Sequence, residues 1–371
     1  MTRTHRRSIA VMVTLVIALS GCATGPGSSG SVPTNTDAAP QVPLADLAVL
    51  DAPREYVGPS TAVLQQTSIT PVGEFSQTLP ATVTSHDAAG DTPVTITDTD
   101  AVIALDLAGS LAATVWGLGF GDTLVGRDIS TTFPGTETLP VVTSGGHSVN
   151  AESLLALRPT VVITDGTIGP RDVIEQLRDA GIAVVFVDNR PAFDGAAELA
   201  RQISAIFGAP EAGEALADQL TEQIDAKMAE IAAIAPSDPA DKVRILFLYI
   251  RGGSGVYYLF GEESGADQLI TALGAIDVAG EIGWTGMKPM TDEAMIAARP
   301  DLILVMTGGL ASAGGPDGLT ATKTAVGLTP AGQRSRFVDM ADGDVLSFGP
   351  RSAGILDALA RAIYAPDSVA G

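Results

Sequence analysis

The chain is poor in basic residues and in the side chains that hold soft metals. Lysine and arginine together number 21 against 43 aspartates and glutamates, a formal net charge of -22 over 371 residues. Such a charge balance argues against nucleic acid as a partner. There is one cysteine, Cys22, which excludes a disulfide framework and a thiolate metal cluster. The three histidines are His5, His86 and His147, so a multi-ligand zinc site would have to rest mainly on carboxylates, against the usual chemistry of that ion. No Gly-x-Ser-x-Gly elbow, phosphate loop or His-Glu-x-x-His pattern occurs, which removes the common signatures of hydrolases and nucleotide enzymes. The absences point to a binding protein and not to an enzyme.

What is present begins with an address. Arg3, His5, Arg6 and Arg7 precede an uncharged run from Ser8 to Leu19, the pattern of a secretory signal peptide and too short to span a bilayer comfortably. The run ends in Leu19-Ser20-Gly21-Cys22, similar to a bacterial lipobox. Residues 1–21 are therefore predicted to be a lipoprotein signal peptide, with Cys22 as the acylated, palmitate-bearing first residue of the mature chain. Loss of Arg3, Arg6 and Arg7 with the leader would move the net charge from -22 to -25. The Gly, Ser, Pro and Thr that follow Cys22 have the composition of a tether. Residues 22–91 are read as this lipidated tether plus a poorly defined N-terminal segment, placing the protein outside the cytoplasm and anchored to the cell membrane.

Beyond it, one phrase occurs twice. Glu152 to Pro159 runs into Thr160-Val-Val-Ile-Thr-Asp-Gly166, and Glu293 to Pro300 runs into Asp301-Leu-Ile-Leu-Val-Met-Thr-Gly308. Each is a short amphipathic helix, a proline break and a buried strand. The spacing of 141 residues is too long for a solenoid and suits two copies of one α/β lobe. Earlier in each copy a strand, a helix, Leu-Gly and a second strand recur, at Val102–Gly126 and Val243–Gly280, the second strands being Thr123–Gly126 and Ile276–Gly280. The expected fold is α/β: an N-terminal lobe over 92–192, a connecting helix over 193–235 and a C-terminal lobe over 236–371, with mostly parallel sheets. The spacing of Leu216, Leu220, Ile224, Met228 and Ile231 marks one long amphipathic helix in the connection. Insertions distinguish the copies, Ile250 to about Glu263 in the second and about Arg127 to Pro140 in the first. They fall at strand carboxyl ends, where open α/β sheets take ligands.

The lipobox, the two lobes joined by one helix and the phrases LPVVTSGGHSVNAESLLALRPTVVITD and GDVLSFGPR resemble the substrate-binding lipoproteins of ABC importers for siderophores, cobalamin and haem. The resemblance covers about residues 92 to 366 and implies the class III substrate-binding fold. VGRDISTTFPGTETLP, GGHS and YIRGGSGVYYLFG resemble most the haem-binding, HmuT-type members. It implies haem as transported ligand, an ABC permease with its ATPase as partners, upstream surface haem-binding proteins as donors, and a monomer. A receptor for a ferric siderophore or cobalamin is the alternative.

His147 stands in a glycine-flanked turn, and a neutral imidazole is a good axial ligand for haem iron. Tyr249 closes an apolar strand; a phenolate oxygen suits ferric iron, but a free phenol is protonated at neutral pH. Arg251, two residues on, is expected on the same face, donating a hydrogen bond to the phenol oxygen. The resemblance likewise gives the axial role to Tyr249 and the supporting role to Arg251. Tyr257 and Tyr258 compete with Tyr249. Met306 at a strand end, Trp284 for stacking, and Arg127 or Arg351 for propionates complete the expected cleft contacts. Glu137 and Glu281 are the acids to which the resemblance assigns docking on permease arginines.

Overall fold

The computed structural model describes residues 41–144 and 147–369. Cys22 and the leader lie outside the described residues, as do Gly145 and Gly146. From Leu44 onward the chain is packed, with the Leu44 side chain buried, so the segment before residue 92 that the sequence left poorly defined has defined structure. Three strands precede the first lobe: β1 (Ser60–Ala62), β2 (Ala81–Asp87) and β3 (Gly90–Ile96), the last two forming a hairpin.

The first lobe is built from β4 (Val102–Leu105), α1 (Ser110–Gly117), β5 (Leu124–Arg127), a two-residue hairpin of β6 (Thr143–Ser144) and β7 (Ser148–Val149), α2 (Ala151–Ala156), β8 (Val161–Thr164), α3 (Arg171–Asp179) and β9 (Ala183–Phe186). Its sheet runs β5-β4-β8-β9, all parallel. β4 and β8 are buried at every residue, which explains why they appear as unbroken apolar runs without alternation. The β2–β3 hairpin covers the open edge: Phe186 N donates to Ser85 Oγ at 2.9 Å.

The connection is two helices, α4 (Phe193–Ile206) and α5 (Pro210–Ile234), packed on one another. The single connecting helix expected over 193–235 is thus a helical pair. Gly208, with φ of 60°, and Pro210 at the first turn of α5 make the break. Of the expected row, α5 buries Leu216, Leu220, Ile224 and Ile231 and leaves Met228 half-buried.

The second lobe begins with β10 (Arg244–Arg251), β11 (Val256–Phe260), α6 (Ala266–Ala272), β12 (Ile276–Asp277), α7 (Val278–Glu281), β13 (Met287–Pro289), α8 (Asp292–Ala298) and β14 (Leu302–Met306). Four short helices follow, α9 (Thr307–Ser312), α10 (Gly315–Thr322), α11 (Thr324–Gly327) and α12 (Pro330–Gln333), before β15 (Phe337–Met340) and the buried α13 (Ser352–Tyr364). The order β12-β10-β14-β15 repeats β5-β4-β8-β9 of the first lobe, with β1 added in parallel at the β15 edge. The second-lobe insertion is a hairpin: β10 runs past its pairing with β12 and turns at Gly252–Ser254 into antiparallel β11. The strand expected over Ile276–Gly280 stops at Asp277, whose carboxylate accepts from Ala279 N and Gly280 N and starts α7 instead.

The repeated helices agree turn for turn. Asn150 and Thr291 cap them through Ser153 N and Ala294 N, and Arg158 and Arg299 follow their last turns with φ of 50° and 46°. A left-handed arginine before proline ends each helix and aims the chain into its strand.

Candidate functional site

The carboxyl ends of the two sheets face each other. A Cβ on Gly343, beyond β15, would stand 2.9 Å from Ser130 O, beyond β5. The Phe348 ring packs edge-on to Phe193 at 5.1 Å, and the Arg351 guanidinium lies 5.8 Å from the Phe133 ring centre. The loops around Ser130 and Gly343 thus line one interlobe cleft.

On the first lobe, His147 leads into β7 and is half-buried; its Nδ1 is buried with no hydrogen-bond partner among the described residues. A buried ring nitrogen left unpaired is costly unless something else meets it. Leu107 and Ile129 follow β4 and β5, respectively, and are 46% and 48% exposed. Ser130 Oγ donates to Leu107 O at 2.7 Å, which ties the two loops together. These exposed aliphatic side chains at strand carboxyl ends form an apolar rim that the sequence pattern did not mark, because each stands alone in a polar loop. Beneath them, Asp106 and Asp128 are fully buried. Burial, then the charges of Asp128 and Asp165, push the Asp106 carboxyl up to about 7. Burial likewise raises Asp128. Asp106 accepts from Ser110 N and Leu111 N at the head of α1, and Asp128 from Ser130 N and Thr131 N.

On the second lobe, β10 alternates. Ile245, Phe247 and Tyr249 face the main core, while Leu246, Leu248 and Ile250 face a second one beneath α8. Tyr249 is half-buried, its ring 6.0 Å from Phe260 and nearly parallel to it, and edge-on to Tyr258 at 6.5 Å. Met306 ends β14 on the same side as Tyr249. Arg251 shares the face, as the two-residue period requires, but not in the expected way. Its guanidinium carbon lies 4.6 Å from the centre of the Tyr249 ring, and its Nη1 pairs with Asp342 at 3.5 Å. Stacking and an ion pair replace the expected hydrogen bond to the phenol oxygen.

Several expected contacts belong elsewhere. Tyr257 pairs with Ile250 and is buried in the second core with Lys323 Nζ 4.1 Å from its ring centre, on the opposite side of the sheet from Tyr249. Trp284 packs against that same core, its indole donating to Leu259 O at 3.1 Å. Arg351 is buried, paired with Asp344 and donating to Gly343 O; it braces the lobes and is not exposed to a ligand. Arg127 is half-buried and donates to Thr131 O at 2.9 Å, holding the loop after β5. Glu137 is exposed and accepts from Gly135 N, whereas Glu281 is paired with Arg244 at 2.7 Å within its own chain. The repeat supplies a further acid pair. Glu152 and Glu293 are both exposed in the first turn of the repeated helix, with no ion pair among the described residues. Helices that return to a parallel strand begin at the carboxyl end of the sheet, so both acids stand on the cleft side.

Residues 102–342 match the model of the periplasmic binding proteins. The chain belongs to the periplasmic binding protein family. A family of substrate-binding proteins, not enzymes, agrees with the missing catalytic motifs. The solved structure of the heme binding protein HmuT is 36% identical, with a TM-score of 0.78, covering 84% of this chain and 99% of that one. Three further matched structures are alanine variants of that protein at an arginine, a histidine and a tyrosine. Among curated relatives, the ABC transporter substrate-binding lipoprotein YvrC of Bacillus subtilis (strain 168) is 28% identical over 255 residues, 68% of this chain and 76% of its own. A cobalamin-binding protein of Halobacterium salinarum is also 28% identical, over 253 residues, 65% of this chain and 66% of its own. The α/β fold with mostly parallel sheets matches this family.

Proposed function

We propose that this periplasmic binding protein captures haem in the interlobe cleft and hands it to an ABC permease, with His147 and Tyr249 as axial ligands from opposite lobes. The observation that carries the reading is an imidazole on one lobe whose buried Nδ1 has no hydrogen-bond partner among the described residues, and a phenol beneath a guanidinium on the other. The Arg251 guanidinium lies over the Tyr249 ring, and a phenol oxygen is a hard donor suited to ferric iron. Leu107, Ile129 and Met306 offer apolar contact to a macrocycle. In the structures of HmuT variants the substituted tyrosine and arginine stand two positions apart, as Tyr249 and Arg251 do. Delivery would use acids on both lobes. The expected pair is Glu137 and Glu281, and the repeat favours Glu152 and Glu293, which need not first break an ion pair. Anchoring through Cys22 would hold the receptor beside its permease.

A cobalamin receptor on the same fold is the competing reading, because one relative carries that name. Haemin and cobalamin titrated separately into the mature chain distinguish them. Tight haemin binding with no cobalamin binding supports the first, and the reverse supports the second.

A further inference from the structure

A second concavity lies at the opposite end of the C-terminal lobe, among the amino ends of β10 and β14. It encloses about 370 Å³ and is lined by Arg54, Arg244, Arg299, Asp301, Pro330 and Arg334. Four of its six lining residues are arginines, in a chain whose net charge is -22. Asp301 is buried at its centre, holding Arg54 Nε at 2.8 Å and accepting from Arg244 N. Arg334 donates to Arg54 O at 2.8 Å and lies 3.9 Å from Asp301. Arg244 is shared between Ala298 O and Glu281. Arg299 is exposed, and its side chain has no hydrogen bond or ion pair among the described residues. Its backbone is locked in the left-handed conformation between α8 and Pro300, so its side chain projects from a fixed point.

Asp301 meets Arg54 and Arg334 and Glu281 meets Arg244, so that of the four guanidinium groups Arg299 has no acidic partner among the described residues; the exposed Asp238 and Asp241 flank Ala240, whose carbonyl takes Arg54 Nη1. Like charges gathered in a shared hollow repel one another, more so where the surroundings are partly dry. A doubly charged anion with several acceptor oxygens relieves that repulsion and fits planar guanidinium forks. A concavity of about 840 Å³ at the amino ends of β8 and β9 has the repeat's Arg158 at the same place but, of arginines, is lined by Arg158 and Arg178 alone.

We propose that the Arg54–Arg244–Arg299–Arg334 hollow binds a phosphate group, independently of the cleft and of what the cleft carries. The group can belong to free phosphate or to a lipid headgroup beside a membrane-anchored protein. The test uses the mature chain from Cys22 onward with Cys22→Ser, so that no acyl chain confuses the membrane arm. One arm titrates inorganic phosphate calorimetrically; the other sediments the protein with phosphatidylcholine vesicles with or without phosphatidic acid. Arg299→Gln should weaken binding by about tenfold, the worth of one charge-assisted contact, and Arg299→Lys should restore part of it. Because Arg299 is exposed, the variant should melt with the parent. Phosphate binding sensitive to Arg299 supports the site with free phosphate as its source, and vesicle binding alone with the same sensitivity supports a headgroup. Absence of both, or binding that Arg299→Gln leaves unchanged, overturns it. Haemin binding should be unaltered by Arg299→Gln in every case.

Discussion

Tyr249 is held by a ring beside it, a ring edge-on to it and a guanidinium over it, and this setting separates it from its neighbours. Tyr257, though in the same hairpin, packs under Lys323 on the far face. Tyr257→Phe should therefore leave the spectrum of a haemin complex unchanged, while Tyr249→Phe should shift it; a shift from Tyr257→Phe would move the ligand to the other face. Arg251→Ala removes the cation over the ring and should change the absorbance spectrum of the ferric complex; an unchanged spectrum would mean that the guanidinium does not bear on the ligand. The shared face of Tyr249 and Arg251 was legible from their spacing. The stacking was not, because it depends on Asp342, 91 residues away, which draws the guanidinium across the ring. Nor was the face of Tyr257 legible, since it depends on the register that the Gly252–Ser254 turn imposes.

Among the elements, α1 and the loop after β5 rest on two buried carboxylates. The folded Asp106 carboxyl sits at about 7 against an ordinary value of 3.8, so between those values the folded state binds the extra proton. Its stabilising contribution is complete below about pH 4 and is lost as pH rises through about 7. Asp87 and Asp357 are lowered in the folded state, by a backbone hydrogen bond and by Arg361 and Lys227 against burial, and act oppositely on acidification. Chemical denaturation from pH 5 to 8 should show stability falling in the parent and a flatter profile in Asp106→Asn; parallel profiles would mean that Asp106 does not titrate there. Leu216→Ala, at a buried position of α5, should cost about 2–5 kcal/mol, measured by the same unfolding. The periodicity of α5 was plain from its leucines and isoleucines. The break before it was not assigned, although Gly208 and Pro210 mark it. β12 stopped short because Asp277 caps a helix, a local contest between strand propensity and capping that pattern alone does not decide.

At the scale of the molecule, the repeat predicted two lobes of the same strand order, and both sheets have it. The N-terminal segment was illegible for a physical reason. β1 and the β2–β3 hairpin are edge elements whose partners, β15 and β9, lie far along the chain, and one-sided burial leaves only weak periodicity. The repeat also relates Glu152 to Glu293. Reversing both charges, Glu152→Arg with Glu293→Arg, should abolish haem-dependent growth of cells relying on this importer while leaving haemin binding by the purified protein intact. The same experiment with Glu137 and Glu281 discriminates between the two acid pairs.

The central claim is a haem held between His147 and Tyr249, and a haemin titration of the mature chain from Ala23, beside His147→Ala and Tyr249→Phe, tests it most directly. The parent should saturate at one haem with a shifted Soret band, and each variant should give a different spectrum. A parent that leaves the haemin spectrum unchanged, or two variants that match it, would contradict the account.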